Sequence, residues 1–325
     1  MFKYKVYITD YDYYDNTIEK SILEPIGAEV IGLQCKDGKG IVDQAKDANA
    51  LMVQYANITK DTINQLPNLK VIARYGVGVD IVDIEAAKEK GIICTNVVDY
   101  CTDEVADHNI SMVLMLARRI PMFIEETKKS KWHWSETGRS VHRFSSLQVG
   151  TIGFGRIAQN MSQKLLALKF NVAATDPFVD AVYMKSKGVR SMDLTSLLQT
   201  SDILVIQCPY TKETHHIIAK NELNVMKPGA ILINCSRGKL VDNHALYDVL
   251  ASGHLAAAGL DDLEDEPAKK FSWSADNNPL FSLKNCFITP HVAYYSEESL
   301  IEARMNASIN VRAVLLNQEP PNRIG

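Results

Sequence analysis

Long apolar runs are missing from this chain of 325 residues. None approaches the roughly 18 residues a membrane-spanning helix needs. The opening MFKYKVYITD is polar, so no signal peptide is expected there. An excess of positive charge is missing too: 35 lysines and arginines against 39 aspartates and glutamates leave −4, which argues against a nucleic-acid scaffold. The six cysteines (Cys35, Cys94, Cys101, Cys208, Cys235 and Cys286) form no C-x-x-C pair, and the eight histidines form no H-E-x-x-H. Cysteines scattered in this way read as small core residues in a reducing compartment, and the expected location is cytoplasmic. The tandem His215-His216 has no carboxylate cluster joining it, and adjacent side chains on one loop rarely share an ion, so no metal site is expected. Internal repeats and low-complexity segments are also absent.

What is present is the composition of an ordinary soluble globular protein, 46% apolar and 23% charged. That is enough for a core without disulfide or metal staples. On a prior of about 150 residues per domain, two domains are expected. Strands are expected at 5–9, 29–33, 50–54, 70–73 and 92–95, with helices at 17–23, 41–47, 59–65 and 83–90 between them. Continuous apolar runs alternating with helices indicate a parallel sheet covered on both faces. From Thr102 to about Arg118 the positions Val105, Ile110, Val113, Leu114 and Ala117 recur at helical spacing, with Asp103 and Glu104 near the positive end of the helix dipole. KKSKWHWSETGRSVHRF then reads as a connector whose tryptophans pack on a neighbour or a second copy. The alternation resumes with strands at 148–152, 171–175, 203–207, 230–234, 255–260 and 286–289, and the last long helix is expected over 297–316. The reading is α/β, two doubly wound parallel-sheet lobes. The loop 268–279 is the longest irregular stretch.

Gly153-Phe154-Gly155-Arg156-Ile157-Ala158 is a G-x-G-x-x-A turn, placed after an apolar strand and before a helix. In that context Gly153 permits a tight turn, Gly155 lets backbone approach a pyrophosphate, and the helix start offers N–H groups to the anion. Asp176 follows 23 residues after Gly153 at the end of the next strand. An acid there accepts from an adenosine ribose and repels a 2′-phosphate, so NAD is expected rather than NADP. Three further polar segments follow strands: Cys235-Ser236-Arg237-Gly238, DDLEDEP at 261–267, and Thr289-Pro290-His291. Ligands bind at such strand ends. Arginine clamps a carboxylate, histidine moves a proton near neutral pH, and an acid steadies the imidazolium.

RYGVGVD at 74–80, GTIGFGRIAQ at 150–159, PGAILINCSRGKLVD at 228–242, GLDDLEDEP at 259–267 and ITPHVAYYSEE at 288–298 carry a resemblance across essentially the whole chain. The sequence resembles the NAD-dependent D-2-hydroxyacid dehydrogenases. DYCTDEVADH at 99–108 and HVAYYSEES at 291–299 look closest to the branch holding the C-terminal-binding protein corepressors and their bacterial enzyme relatives. The resemblance implies catalytic roles for Arg237, Glu266 and His291, with Glu266, next to Pro267, as the acid rather than Glu264. It implies that Gly153, Gly155, Arg156, Ile157, Asp176, Cys208, Pro209, Thr214, Cys235, Ser236 and Asp261 line NAD. Val77, Gly78, Arg237 and Tyr294 would meet a small 2-keto or 2-hydroxy acid.

The resemblance also implies a flavodoxin-like substrate lobe from residues 1–100 and 291–325, a Rossmann coenzyme lobe from 101–290, and a cleft between them hinged near Tyr100 and Pro290. A homodimer is implied through 102–146. Residue 294 is tyrosine where the corepressor branch usually has tryptophan. The chain ends at Gly325, so no appended regulatory domain is expected. Two function classes stand side by side: a dehydrogenase of small 2-hydroxy acids, and a corepressor-like binding protein that senses NADH. Glu266 disfavours formate oxidation, where a neutral amide is used. Arg74 and Arg139 are candidates to reach a distal phosphate, with a surface or structural role the simpler reading.

Overall fold

The structure is a computed structural model, and it describes residues 2–137, 140–267 and 272–324. Arg139 and the start of the 268–279 loop therefore lie outside the described residues. The chain divides into two compact units, one running to Cys101 and resuming at Tyr295, the other beginning at Thr102 and ending at Tyr294. The return exchange falls four residues later than the expected 290/291. The cause is local: the backbone N–H groups of Val292 and Ala293 are bound by the Asp261 carboxylate of the second unit.

The first unit begins with β1 (Tyr4–Ile8), α1 (Thr17–Leu23), β2 (Ala28–Gly32), α2 (Gly38–Ala45), β3 (Ala50–Val53), α3 (Lys60–Asn64), β4 (Val71–Arg74), α4 (Ile84–Glu89) and β5 (Ile93–Thr95). Apolar β3 is buried throughout, as a strand covered on both faces must be. The side chains of Asp37, Thr59 and Asp83 accept from the first turns of α2, α3 and α4, which fixes where each helix starts. The parallel order is β5-β4-β3-β1-β2, the flavodoxin-like arrangement.

In the second unit, α5 (Thr102–Ala117) and α6 (Ile120–Lys128) precede β6 (Gln148–Ile152), α7 (Arg156–Ala167), β7 (Asn171–Thr175), α8 (Ala181–Ser186), β8 (Arg190–Ser191) and α9 (Leu194–Thr200). Then come β9 (Ile203–Ile206), α10 (Lys220–Val225), β10 (Ile231–Asn234), α11 (Asn243–Ala251), β11 (Ala257–Leu260) and β12 (Cys286–Ile288). The all-parallel order is β12-β11-β10-β9-β6-β7-β8. Chain direction across the sheet reverses between β6 and β9, the switch point where such sheets bind nucleotides. Leu204, Ile206, Leu232, Leu246, Leu260 and Leu280 sit in its core.

The chain then returns to the first unit with α12 (Glu297–Leu315), and β13 (Arg323–Ile324) adds an antiparallel edge to β5. No helix among the described residues is long and apolar enough to cross a membrane. The connector begins at the last residue of α6 and includes a 3-10 turn at Trp134–Thr137. Trp132 and Trp134 stay 89% and 77% exposed, and the Trp134 ring lies tilted 5.2 Å from that of the adjacent His133.

None of the six cysteines forms a disulfide. Burial pushes the thiols of Cys94 and Cys208 up to about 11 and that of Cys286 up to about 12. Unfolded thiols lose their proton near pH 8.5, so above that pH the unfolded state binds fewer protons and stability falls as pH rises. Thermal unfolding followed from pH 8 to 11 should show Tm dropping steadily, with roughly 2 kcal/mol lost through Cys94 alone. Cys94→Ala should flatten the slope; a Tm constant across that range would refute neutral buried thiols.

Candidate active site

The turn after β6 is shaped by a glycine that nothing else can replace. Gly153 has φ +93°, and a Cβ there would lie 2.4 Å from the carbonyl oxygen of Gln207. Gly155 caps α7 without a side chain and faces open space. An anion can therefore approach the first-turn N–H groups of α7, among them those of Arg156 and Ile157. Asp176, at the end of β7, accepts from the N–H of Phe154 at 2.8 Å and of Phe178 at 2.9 Å. Its carboxylate is thus held against the glycine turn and remains partly exposed. These residues fit a dinucleotide: an open helix start for the pyrophosphate, and an anchored acid for a ribose.

Three adjacent strands then deliver the other side chains to one sheet edge, because β10, β11 and β12 are parallel neighbours. Arg237 leaves β10 in a turn knitted by Asn234, whose side chain donates to the Arg237 carbonyl and accepts from the Ser236 N–H. Ser236 Oγ donates to the carbonyl of Ile206. Gly238 then packs directly on the loop after β11: a Cβ there would lie 1.9 Å from the Leu263 carbonyl carbon. Glu266, at the end of that loop, has a buried side chain and hydrogen-bonds His291 Nδ1 through Oε1. A carboxylate only accepts, so Nδ1 carries the hydrogen and Nε2 is left for chemistry. His291 itself holds φ +55°, a left-handed conformation that non-glycine residues adopt at a cost. Tyr294 stands edge-on to its ring at 6.2 Å.

The other expected residues find varied places. Asp261 is 2% exposed and turns its carboxylate to the His291 loop, accepting from Thr289 Oγ1 at 2.5 Å, Val292 N at 3.0 Å and Ala293 N at 2.7 Å. Thr214 Oγ1 donates to the Pro209 carbonyl at 2.8 Å, bracing its own loop. Burial raises the thiols of Cys208 and Cys235, so both are neutral near pH 7 and neither is poised as a nucleophile. Val77, 44% exposed, and Gly78 lie in the turn after β4, in the unit that does not contain Arg237, Glu266 and His291.

Glu264 is occupied elsewhere, 2.7 Å from His216 Nε2. Two residues went unremarked in the sequence. Asp262 offers an oxygen within 4.8 Å of ligand atoms of Glu266 and His291, the grouping among the described residues best placed to hold an ion, and it contains the His291–Glu266 pair itself. His108 on α5 reaches Thr289 Oγ1 at 3.1 Å. Asp262 is one of five acids between 261 and 266, and His108 lies outside the strand-end segments. Neither had a signal of its own.

Residues 110–293 match the family described as D-isomer specific 2-hydroxyacid dehydrogenase, NAD binding domain. The D-3-phosphoglycerate dehydrogenase of Methanocaldococcus jannaschii is 34% identical over 98% of this chain and 59% of its own length. The glyoxylate reductase of Thermococcus litoralis is 33% identical over 87% of this chain and 86% of its own. The chain thus spans less than two thirds of the length of the phosphoglycerate dehydrogenase. Among solved structures, D-lactate dehydrogenase from Aquifex aeolicus, complexed with NAD and lactic acid, superposes with a TM-score of 0.89 at 31% identity, covering 98% of each chain. The chain therefore belongs to the D-isomer specific 2-hydroxyacid dehydrogenase family, and its second unit carries that family's NAD-binding domain.

Proposed function

We propose that the protein is an NAD-linked oxidoreductase that interconverts a small 2-keto acid and its D-2-hydroxy acid. The observation that carries this reading is the buried Glu266 bound to His291 Nδ1, on loops beside the Arg237 turn and in the same sheet as the glycine turn. The cofactor, when bound, would supply the hydride as NADH or accept it as NAD. The chain does the rest. Arg237 clamps the substrate carboxylate and draws charge toward the carbonyl oxygen. In reduction, as C2 gains hydride and its C=O π bond breaks, His291 gives its Nε2 proton to that oxygen. Glu266 holds the imidazole by Nδ1 throughout. Oxidation reverses each movement, with neutral Nε2 taking the hydroxyl proton. Asp176, braced by two backbone N–H groups, favours the ribose of NAD over a 2′-phosphate.

The test is a panel of 2-keto acids (glyoxylate, hydroxypyruvate, pyruvate and longer chains) with loss of NADH absorbance followed. Turnover on at least one is expected, with NADPH a poorer donor. No turnover on any would favour the NADH-sensing, corepressor-like binding protein instead. Because Glu264 serves His216 and Glu266 serves His291, Glu266→Gln should cost about a hundredfold in kcat and Glu264→Gln less than about threefold. Equal losses would undo the assignment of the acid. A homodimer and a cytoplasmic location belong to the same reading. The exposed Trp132, Trp134, Ile120 and Ile124 support a second copy, and the lack of disulfides supports a reducing compartment.

A further inference from the structure

We propose that His108, on α5, is a positioning residue for the loop that carries His291. This inference rests on the proposed dehydrogenase reading for its kinetic consequence, but not for its structural one. His108 Nε2 lies 3.1 Å from Thr289 Oγ1, and Thr289 Oγ1 lies 2.5 Å from Asp261 Oδ1. A hydroxyl has one proton, and an ionised carboxylate can only accept. The Thr289 hydroxyl therefore donates to Asp261, and its lone pairs must accept from elsewhere. His108 is the donor at hand, so its Nε2 carries hydrogen. The result is a directed chain from the His108 N–H through the Thr289 O–H to the Asp261 carboxylate.

Asp261 spends its remaining acceptor capacity on the loop, taking the N–H of Val292 at Oδ1 and of Ala293 at Oδ2. The chain thus grips the residues on both sides of His291. That grip has work to do, because His291 sits at φ +55°. A non-glycine residue stays in that conformation only where its surroundings over-determine it. Each bond in a chain of this kind polarises the next, so a donor at its far end strengthens the acceptor bonds at Val292 and Ala293. The side chain of Asp261 is 2% exposed and that of His108 21%, which keeps water from replacing the links readily.

The experiment uses the full chain with two substitutions. His108→Leu removes the donor; His108→Gln keeps an N–H that can reach Thr289. Amide hydrogen exchange at Val292 and Ala293 is measured by NMR, together with Tm, kcat and the KM for NADH. In His108→Leu those two amides should exchange roughly tenfold faster, about one hydrogen bond's worth, while amides of the β6–β9 core keep their rates. Its kcat should fall by a similar factor with KM for NADH within about twofold. His108→Gln should restore both. Exchange in His108→Leu equal to that of the unaltered protein, or His108→Gln no better than His108→Leu, would overturn the proposal. Faster loop exchange with unchanged kcat would overturn the positioning role in catalysis. If the unaltered protein turns over no acid, the dehydrogenase reading fails while the exchange result still decides the chain.

Discussion

His291→Asn lowers kcat for keto-acid reduction by about a thousandfold and leaves the KM for NADH within about twofold. Asparagine is the informative replacement because it tolerates the left-handed conformation that His291 holds at φ +55°. The backbone grip of Asp261 on Val292 and Ala293 then survives, and only the proton carrier is lost. Alanine at the same position should show the same kinetic loss, with some additional loosening of the loop. The split between kcat and KM follows from geography. On the proposed reading, the dinucleotide contacts would be built by the turn after β6 and by Asp176, whereas Nε2 of His291 would act on the substrate oxygen. Steady-state kinetics at saturating NADH, with NADH binding measured separately by fluorescence, check both halves. Unchanged turnover in His291→Asn would remove His291 from the chemistry.

How much of this was legible in the sequence depends on the distance over which each feature is decided. The parallel strands were visible because a strand covered on both faces must be apolar along its length, as in ALMV of β3 and ILVI of β9. Strands β8 and β13 were not, since two residues carry no pattern and their pairing is set by partners far along the chain. The glycine turn was legible because its constraint is local: Gly153 must take a positive φ beside Gln207. Among the acids of DDLEDEP, composition alone could not choose. The family resemblance pointed to Glu266 by its place before Pro267, and the structure gives each of two glutamates its own histidine. Asp261 shows the limit. Besides the place expected for it at the coenzyme, its carboxylate holds residues 28 to 32 positions later in the chain, brought near only when β11 and β12 pair, and no local pattern announces those contacts.

Arg304→Met destabilises the first unit by about 3–5 kcal/mol, while the double variant Glu19→Leu/Arg304→Met recovers most of the loss. Arg304 projects from α12 onto α1, where its Nε and one terminal nitrogen reach the two Glu19 oxygens at 2.9 and 2.7 Å. Glu19 is fully buried, Tyr75 Oη donates to it at 3.2 Å, and the guanidinium lies 4.2 Å over the Tyr13 ring. Burial works against the charge of Arg304, but the Glu19 carboxylate outweighs it and the arginine holds its proton more tightly than usual. Removing the arginine leaves an acid at 0% exposure without the cation that balances it. Removing both charges leaves no buried ion unbalanced, though the Asp15 carbonyl and the Tyr75 hydroxyl each lose a partner, which is why the pair of substitutions recovers most rather than all of the loss. The pair also joins the two ends of a unit built from separated stretches of chain, since α1 and α12 are 285 residues apart at this contact. Urea unfolding of the three variants gives the coupling energy directly. Strict additivity would show that α12 is held by its apolar face alone, and that the ion pair is incidental to how the C-terminal segment returns to the first sheet.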